Sequence, residues 1–271
     1  RYFDRFVPGQ ALSETEREGL ANEVPGAVSR VRDYYLPLLR RERGPVGRAL
    51  RVLDSGCGNG MSVDLLCEAG FEAWGVDLSA LRKWQWRGRR RRDRLACAEG
   101  GRLPFADGFF DALLCSGVLE HVGVEESRGE TYRVRVMPGR DAARIAFLAE
   151  QARVLSPGGV LWLDFPNGAF PIDFWHGARA GAPRWHSPRE GFLPTAAEVR
   201  RYAAALHAVF RVRALGAEGR LQFRQVGRHW YGRLLRLPAA LWLRLLGAPL
   251  FSALLETPLN PFLVLELRKA R

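Results

Sequence analysis

Lysine is almost missing from this sequence: of its 41 lysines and arginines, only Lys83 and Lys269 are lysines. The net charge of +12 is therefore an arginine excess, and a coding bias towards arginine explains it as readily as a phosphate-binding surface does. Cysteine is scarce too. Cys57, Cys67, Cys97 and Cys115 form no close pair with metal-ligand spacing, and three of them lie in or beside apolar runs, which predicts reduced thiols in a cytoplasmic protein. No stretch reaches the ~20 apolar residues of a membrane-spanning helix. The most apolar one, Leu234 to Leu255, is interrupted by Arg236, Pro238, Arg244, Gly247 and Pro249. No signal-peptide pattern is visible, and because the chain opens on Arg1 rather than Met, what precedes it is left open.

What is present suits one elaborated domain. A chain of 271 residues that is 47% hydrophobic can bury a full core. From residue 50 onward, short apolar runs alternate with segments of helix length, the pattern of a doubly wound α/β sheet covered on both faces. Strands are expected near 50–54, 72–77, 95–98, 110–115, 159–164, 209–215 and 261–268, with crossover helices such as 61–69 and 141–155 between the first five. Three regions stand outside this repeat. Residues 1–48 are expected to form a helical cap before a domain spanning 49–271. Insertions at about 165–194 and 217–260 are candidates for substrate recognition. The second carries Trp230, Tyr231 and Trp242 among flanking arginines, so 230–256 is either a buried cap or a peripheral membrane contact.

The densest signal is Val52-Leu53-Asp54-Ser55-Gly56-Cys57-Gly58-Asn59-Gly60, a glycine-rich turn between a strand and a helix. Glycine lets backbone approach a ligand closely, and the following helix offers free N–H groups at its start. Gly56, Gly58 and Gly60 form G-x-G-x-G, and Met61 stands where a dinucleotide-binding turn has its third glycine. A pyrophosphate cofactor is thereby disfavoured, and a nicotinamide dehydrogenase with it. Asp77 ends the second apolar run 21 residues after Gly56, where a carboxylate can accept hydrogen bonds from both hydroxyls of a ribose. Capping the next helix near Ser79 is an equal alternative for that residue.

Later motifs follow in order: Glu99-Gly100-Gly101-Arg102-Leu103-Pro104-Phe105-Ala106-Asp107, then Phe110 to Val122, then Val154-Leu155-Ser156-Pro157-Gly158-Gly159-Val160-Leu161. With these, residues 48–166 resemble the class I methyltransferases that use S-adenosyl-L-methionine, particularly the type 11 branch. The resemblance implies a Rossmann-like sheet of seven mostly parallel strands in the order 3-2-1-4-5-7-6. It implies S-adenosyl-L-methionine as cofactor, held by Asp54, Gly56, Cys57, Gly58, Gly60, Asp77, Leu78, Glu99, Gly100, Cys115 and Ser116. Asp54 would face the methionine ammonium, and Glu99, where the family usually has Asp, would recognise the adenine amino group with Gly100 beside it.

A sulfonium methyl needs an aligned nucleophile and a dry site, not a covalent residue, and no metal is expected. A general base would serve a hydroxyl acceptor, and His186, His121 and His176 are the candidates, with His186 slightly favoured. The tryptophans of the insertions suit a small-molecule or lipid-linked acceptor. Two other functions compete. The run Arg82 to Arg94 mixes arginine with tryptophan and could bind RNA for methylation, or serve only as a solvated helix. Nucleic acid is not the expected partner, since the chain has Cys115-Ser116-Gly117-Val118 where enzymes acting on exocyclic base nitrogens carry Asn/Asp-Pro-Pro-aromatic. The other alternative is a cofactor-binding protein without catalysis.

Overall fold

A computed structural model of the chain describes residues 23–42, 47–128, 132–177, 183–207, 209–221 and 230–271. The first 22 residues of the expected N-terminal cap, the centre of the 165–194 insertion and residues 222–229 of the last insertion lie outside that set, as do the side chains of Trp230 and Tyr231.

Seven strands form one sheet. β1 (Arg51–Ser55), β2 (Glu72–Asp77), β3 (Leu95–Cys97), β4 (Phe110–Ser116) and β7 (Leu155–Pro166) run parallel, and β11 (Phe262–Lys269) lies antiparallel between β7 and β10 (Phe210–Leu215). Across the sheet the order is β3-β2-β1-β4-β7-β11-β10. The gaps in this numbering come from two hairpins outside the sheet that the apolar pattern does not announce: β5 (Val124–Arg128) with β6 (Tyr132–Val136), and β8 (Ile172–Asp173) with β9 (Arg184–Trp185). Their sequences are short and polar, so alternation carries little signal there. This is a Rossmann-like sheet in the order expected from the sequence.

Side chains alternate across the strands and fill two cores, one per face. Leu53, Leu113, Cys115, Leu161, Leu163 and Phe165 point to one side, where α4 (Arg140–Val154) and α5 (Ala196–Ala205) pack. Val52, Ala112, Leu114, Val160 and Trp162 point to the other, covered by α2 (Met61–Glu68) and by α1, a helix over 23–39 that is π-helical at Arg30–Tyr35. α3 (Ala80–Trp86) begins at Ser79, whose hydroxyl accepts from Leu81 N at 3.2 Å. α6 (Trp230–Gly247) and a 3₁₀ segment (Pro249–Glu256) connect β10 to β11. Because β1, β2, β3 and β4 are parallel, their C-terminal ends open on one edge, where the order reverses about β1 and β4. That edge is where such sheets hold ligands.

Candidate active site

At this edge one cavity of about 890 Å³ runs from the glycine turn to a pair of histidines. The turn is built from both of its neighbours. Gly56 N and Cys57 N donate to Val76 O, each at 2.9 Å, and Gly58 N donates to Asp77 Oδ2 at 3.0 Å. Gly56 has φ +96°, and a Cβ there would fall 2.3 Å from Val118 Cγ2, so only glycine fits. Gly58 and Gly117 differ: a Cβ at either meets no atom closer than 3.7 Å. Their missing side chains leave open room in the cavity wall. Trp86 Nε1 and Arg89 Nε bind the outer carbonyls of the turn at Gly58 and Asn59, 2.9 and 2.7 Å away.

Asp77 lines the cavity and also orders it, its second oxygen accepting from Ser79 N at 3.2 Å. A carboxylate offers about four lone-pair positions, so these two bonds leave it able to accept from a ligand as well. Leu78, Glu99, Gly100 and Ser116 also line the cavity, as does Cys57, whose thiol burial pushes well up and so keeps protonated. Gly100 packs so closely on Phe147 that a Cβ would come within 2.5 Å of it. The wall is completed by Glu23, Gly26, Ala27 and Arg30 of α1.

Three residues assigned to the cofactor on resemblance stand behind this wall. Asp54 is buried, accepts a hydrogen bond from the Ser62 hydroxyl and has its pKa raised by burial. It braces the start of α2 and is not among the residues lining the cavity. Gly60, also outside the lining, is the left-handed residue preceding α2, where a Cβ would strike Leu95. Cys115 belongs to the core because its side chain points to the α4 face, while the next residue, Ser116, points to the cavity.

The other end of the cavity holds His121, Glu126, Tyr132, Trp175 and His176. His121 Nδ1 is hydrogen-bonded to Glu126, which also accepts from the Tyr132 hydroxyl. His176 Nδ1 lies 3.0 Å from Asp173 Oδ2, and the two imidazoles are 5.3 Å apart between ring centroids. Burial works to raise both carboxyls, but the histidine contacts outweigh it and hold Glu126 and Asp173 down at about 2. Each imidazole is thus oriented by a carboxylate at Nδ1. Glu120, buried beneath them, has its pKa raised by burial, and its Oε2 has no hydrogen-bond partner. Glu120, His121 and His176 each bring one donor atom within 4.8 Å of the others, the one such trio among the described residues. Arg144, fully buried, fixes this loop by donating to the carbonyls of Glu120 and Phe192, 3.1 and 2.6 Å away.

His186 is not brought to the cavity. It follows β9, with its backbone N tied to Pro171 O at 3.2 Å and its Nε2 buried without a hydrogen-bond partner. Its position in an aromatic, proline-rich insertion gave no information about which way the hairpin turns. Sequence reasoning also missed Glu126, Tyr132 and Asp173. Asp173 had a signal, since a carboxylate three residues before a histidine can reach its ring. Asp164 was missed as well: a charge inside the apolar run Val160–Phe165, it is fully buried, accepts from Tyr35 and Ser116, and is clamped by Arg220 at 2.7 and 2.9 Å.

The basic run meets the rest of the chain at many points. Arg82 pairs with Glu23 at 2.8 Å, the backbone N atoms of Arg90 and Arg91 donate to Asp64, and Arg94 lies 4.4 Å over the Trp74 ring.

Comparison with known proteins agrees with the geometry. Residues 53–163 match the family model of a methyltransferase domain of type 11. An uncharacterized methyltransferase of Mycolicibacterium gilvum is 30% identical over 181 residues, 64% of this chain and 62% of that one. A demethylmenaquinone methyltransferase of Beutenbergia cavernae is 35% identical over 113 residues, 41% of this chain and 38% of the relative. The chain spans less than two thirds of the length of the curated relatives it matches. Among solved structures, an S-adenosylmethionine-dependent methyltransferase of Archaeoglobus fulgidus aligns with a TM-score of 0.53 at 14% identity, covering 93% of this chain and 97% of that one. One from Mesorhizobium loti aligns at 0.50 and 16%, covering 86% and 96%. The fold is that of the class I methyltransferases. The likeness to the type 11 methyltransferase domain is carried by residues 53–163.

Proposed function

We propose that this chain moves a methyl group from S-adenosyl-L-methionine to a small or lipid-linked acceptor by in-line displacement, with a histidine as proton acceptor. The observation that carries the reading is the continuity of the cavity from the glycine turn, Asp77 and Glu99 to His121 and His176.

The residues fit the cofactor. The uncrowded faces of Gly58 and Gly117 leave a cradle, Asp77 would accept from the ribose hydroxyls, and Glu99 with Gly100, lining the same cavity, would read the adenine edge. The bound cofactor supplies an activated methyl on a sulfonium sulfur. The chain supplies position, exclusion of water and a base. Trp175 and Tyr132 narrow the far end, and an imidazole whose Nδ1 proton is held by Asp173 or Glu126 carries its lone pair on Nε2, where it can take the acceptor proton. The adjacent carboxylate stabilises the imidazolium that results.

RNA methylation is less well supported, because the run at 82–94 meets acidic groups, carbonyls and a ring of its own chain. The reading is tested by titration calorimetry with S-adenosylhomocysteine. Binding without any NAD binding is expected, and Asp77→Ala should weaken it by about ten- to a hundredfold, as the loss of hydrogen bonds to a charged group does. Unchanged affinity in that variant, with its circular dichroism intact, removes Asp77 from the site and the reading with it.

A further inference from the structure

Exposed leucines gather on the connection between β10 and β11. Leu234, Leu235, Leu237, Leu241, Leu245 and Leu250 are all exposed, Leu237 at 79% and Leu250 at 85%. At about 100° per residue, the leucines of α6 among them fall on one arc of the helix. The opposite side is anchored: Leu243 and Leu246 are buried, and Gly247 lies so close to Gly216 that a Cβ on Gly216 would meet its Cα at 2.7 Å. Trp242 Nε1 donates to Leu259 O at 2.9 Å, and Arg200 pairs with Glu256. The helix is therefore fixed to the domain along one edge and bare along the other. Soluble monomers rarely expose so many neighbouring leucines without a partner.

The charges identify the partner. From residue 230 to 255 there is no aspartate or glutamate, and Arg233, Arg236 and Arg244 are exposed on α6. Leucines in an arc bordered by arginines complement a layer that is apolar below and anionic above. Leu243, Leu246 and Leu255 are buried against the domain, so the bent pair fits lying on that layer. No single described helix is long and apolar enough to cross a membrane, and Gly232–Gly247 meets Pro249–Glu256 at 104°. Both arms carry exposed leucine, and Leu255 is buried against the domain.

We infer that α6 and the 3₁₀ segment after it form a docking surface for an anionic phospholipid bilayer. The surface adjoins the acceptor end of the cavity. Leu259, held by Trp242, leads to Phe262, whose ring lies 5.1 Å from that of Trp175 on the cavity wall. A docked chain would thus present the histidine end of its cavity near the bilayer.

The test uses the full chain in sedimentation with vesicles of phosphatidylcholine, either alone or mixed with phosphatidylglycerol. Binding to the mixed vesicles should be at least about tenfold tighter and should weaken with salt. Leu237→Glu with Leu250→Glu, and separately Arg233→Glu with Arg236→Glu, should each lower it about tenfold or more. These positions lie outside the cavity, so S-adenosylhomocysteine affinity should not change, and docking and methyl transfer can fail independently. Absence of binding to mixed vesicles overturns the inference. So does binding that neither pair of substitutions weakens, and so does a dimer in sedimentation velocity that Leu237→Glu dissociates, because a second copy would then cover the leucines.

Discussion

At the scale of single residues, the two histidines of the cavity differ in how firmly they are held. His176 is buried, and Asp173, itself fully buried, accepts from its ring and from the backbone N atoms of Trp175 and His176 at 2.9 and 3.1 Å. His121 is paired with a residue of the β5–β6 hairpin. Ring orientation at His176 therefore rests on a carboxylate locked by its own turn, and in the proposed reaction His176 is the base to test first. His176→Gln should lower kcat by about 10²- to 10⁴-fold, the range of a lost general base, while S-adenosylhomocysteine binds within about twofold of wild type. Asp173→Asn should give a smaller fall in kcat, since the amide cannot stabilise an imidazolium. A His176→Gln enzyme with full turnover would assign the base to His121 or remove the need for one.

At the scale of elements, α1, β7 and the segment leading to α6 are joined under the cofactor end by one charged cluster. Asp164 of β7 is fully buried, and although burial works to raise its carboxyl, the charge and hydrogen bonds of Arg220 hold it below the ordinary range. Tyr35 of α1 donates to the same carboxylate, and burial and that charge push its hydroxyl well up, so it stays a donor. Ser116 carries the cluster to the cavity wall, 2.7 Å from Arg220 Nη2. Arg220→Met should destabilise the chain by about 3–5 kcal/mol, the consequence of leaving a buried charge unpaired, and Asp164→Asn added to it should restore much of the loss, both read by urea unfolding. A single variant as stable as wild type would mean that Asp164 is protonated in the fold. None of this was legible beforehand. Strand periodicity placed Asp164 correctly in its strand, but a partner 56 positions away leaves no mark in a local pattern, and the parallel strands themselves were legible because each is apolar on both faces. The glycine turn was legible for the same reason, being local. Asp54, Cys115 and His186 do not line the cavity, and local sequence could not tell this because one residue of rotation in a strand or a hairpin decides which way a side chain faces.

For the whole molecule, the buried carboxyls set how stability changes with acid, and they pull in opposite directions. Glu126 and Asp173 have folded pKa values of about 2 against ordinary values of 4.5 and 3.8. Their contribution is complete above the ordinary values and is lost as pH falls towards 2, by about 3 kcal/mol for Glu126 and about 2 kcal/mol for Asp173. Glu120 and Asp54 are raised, chiefly by burial. Between their unfolded and folded values the native state binds more protons, so stability rises as pH falls through that window. The chain should therefore gain stability as pH falls towards the ordinary carboxyl range and lose it steeply below about pH 4.5. Urea unfolding measured across the pH range checks both limbs. Glu120→Gln should flatten the rise, because the amide pays no charge-burial penalty at neutral pH. Asp173→Asn should flatten the acid fall. A stability that declines evenly from neutral pH, unchanged by Glu120→Gln, would place Glu120 in contact with a compensating cation and not under desolvation.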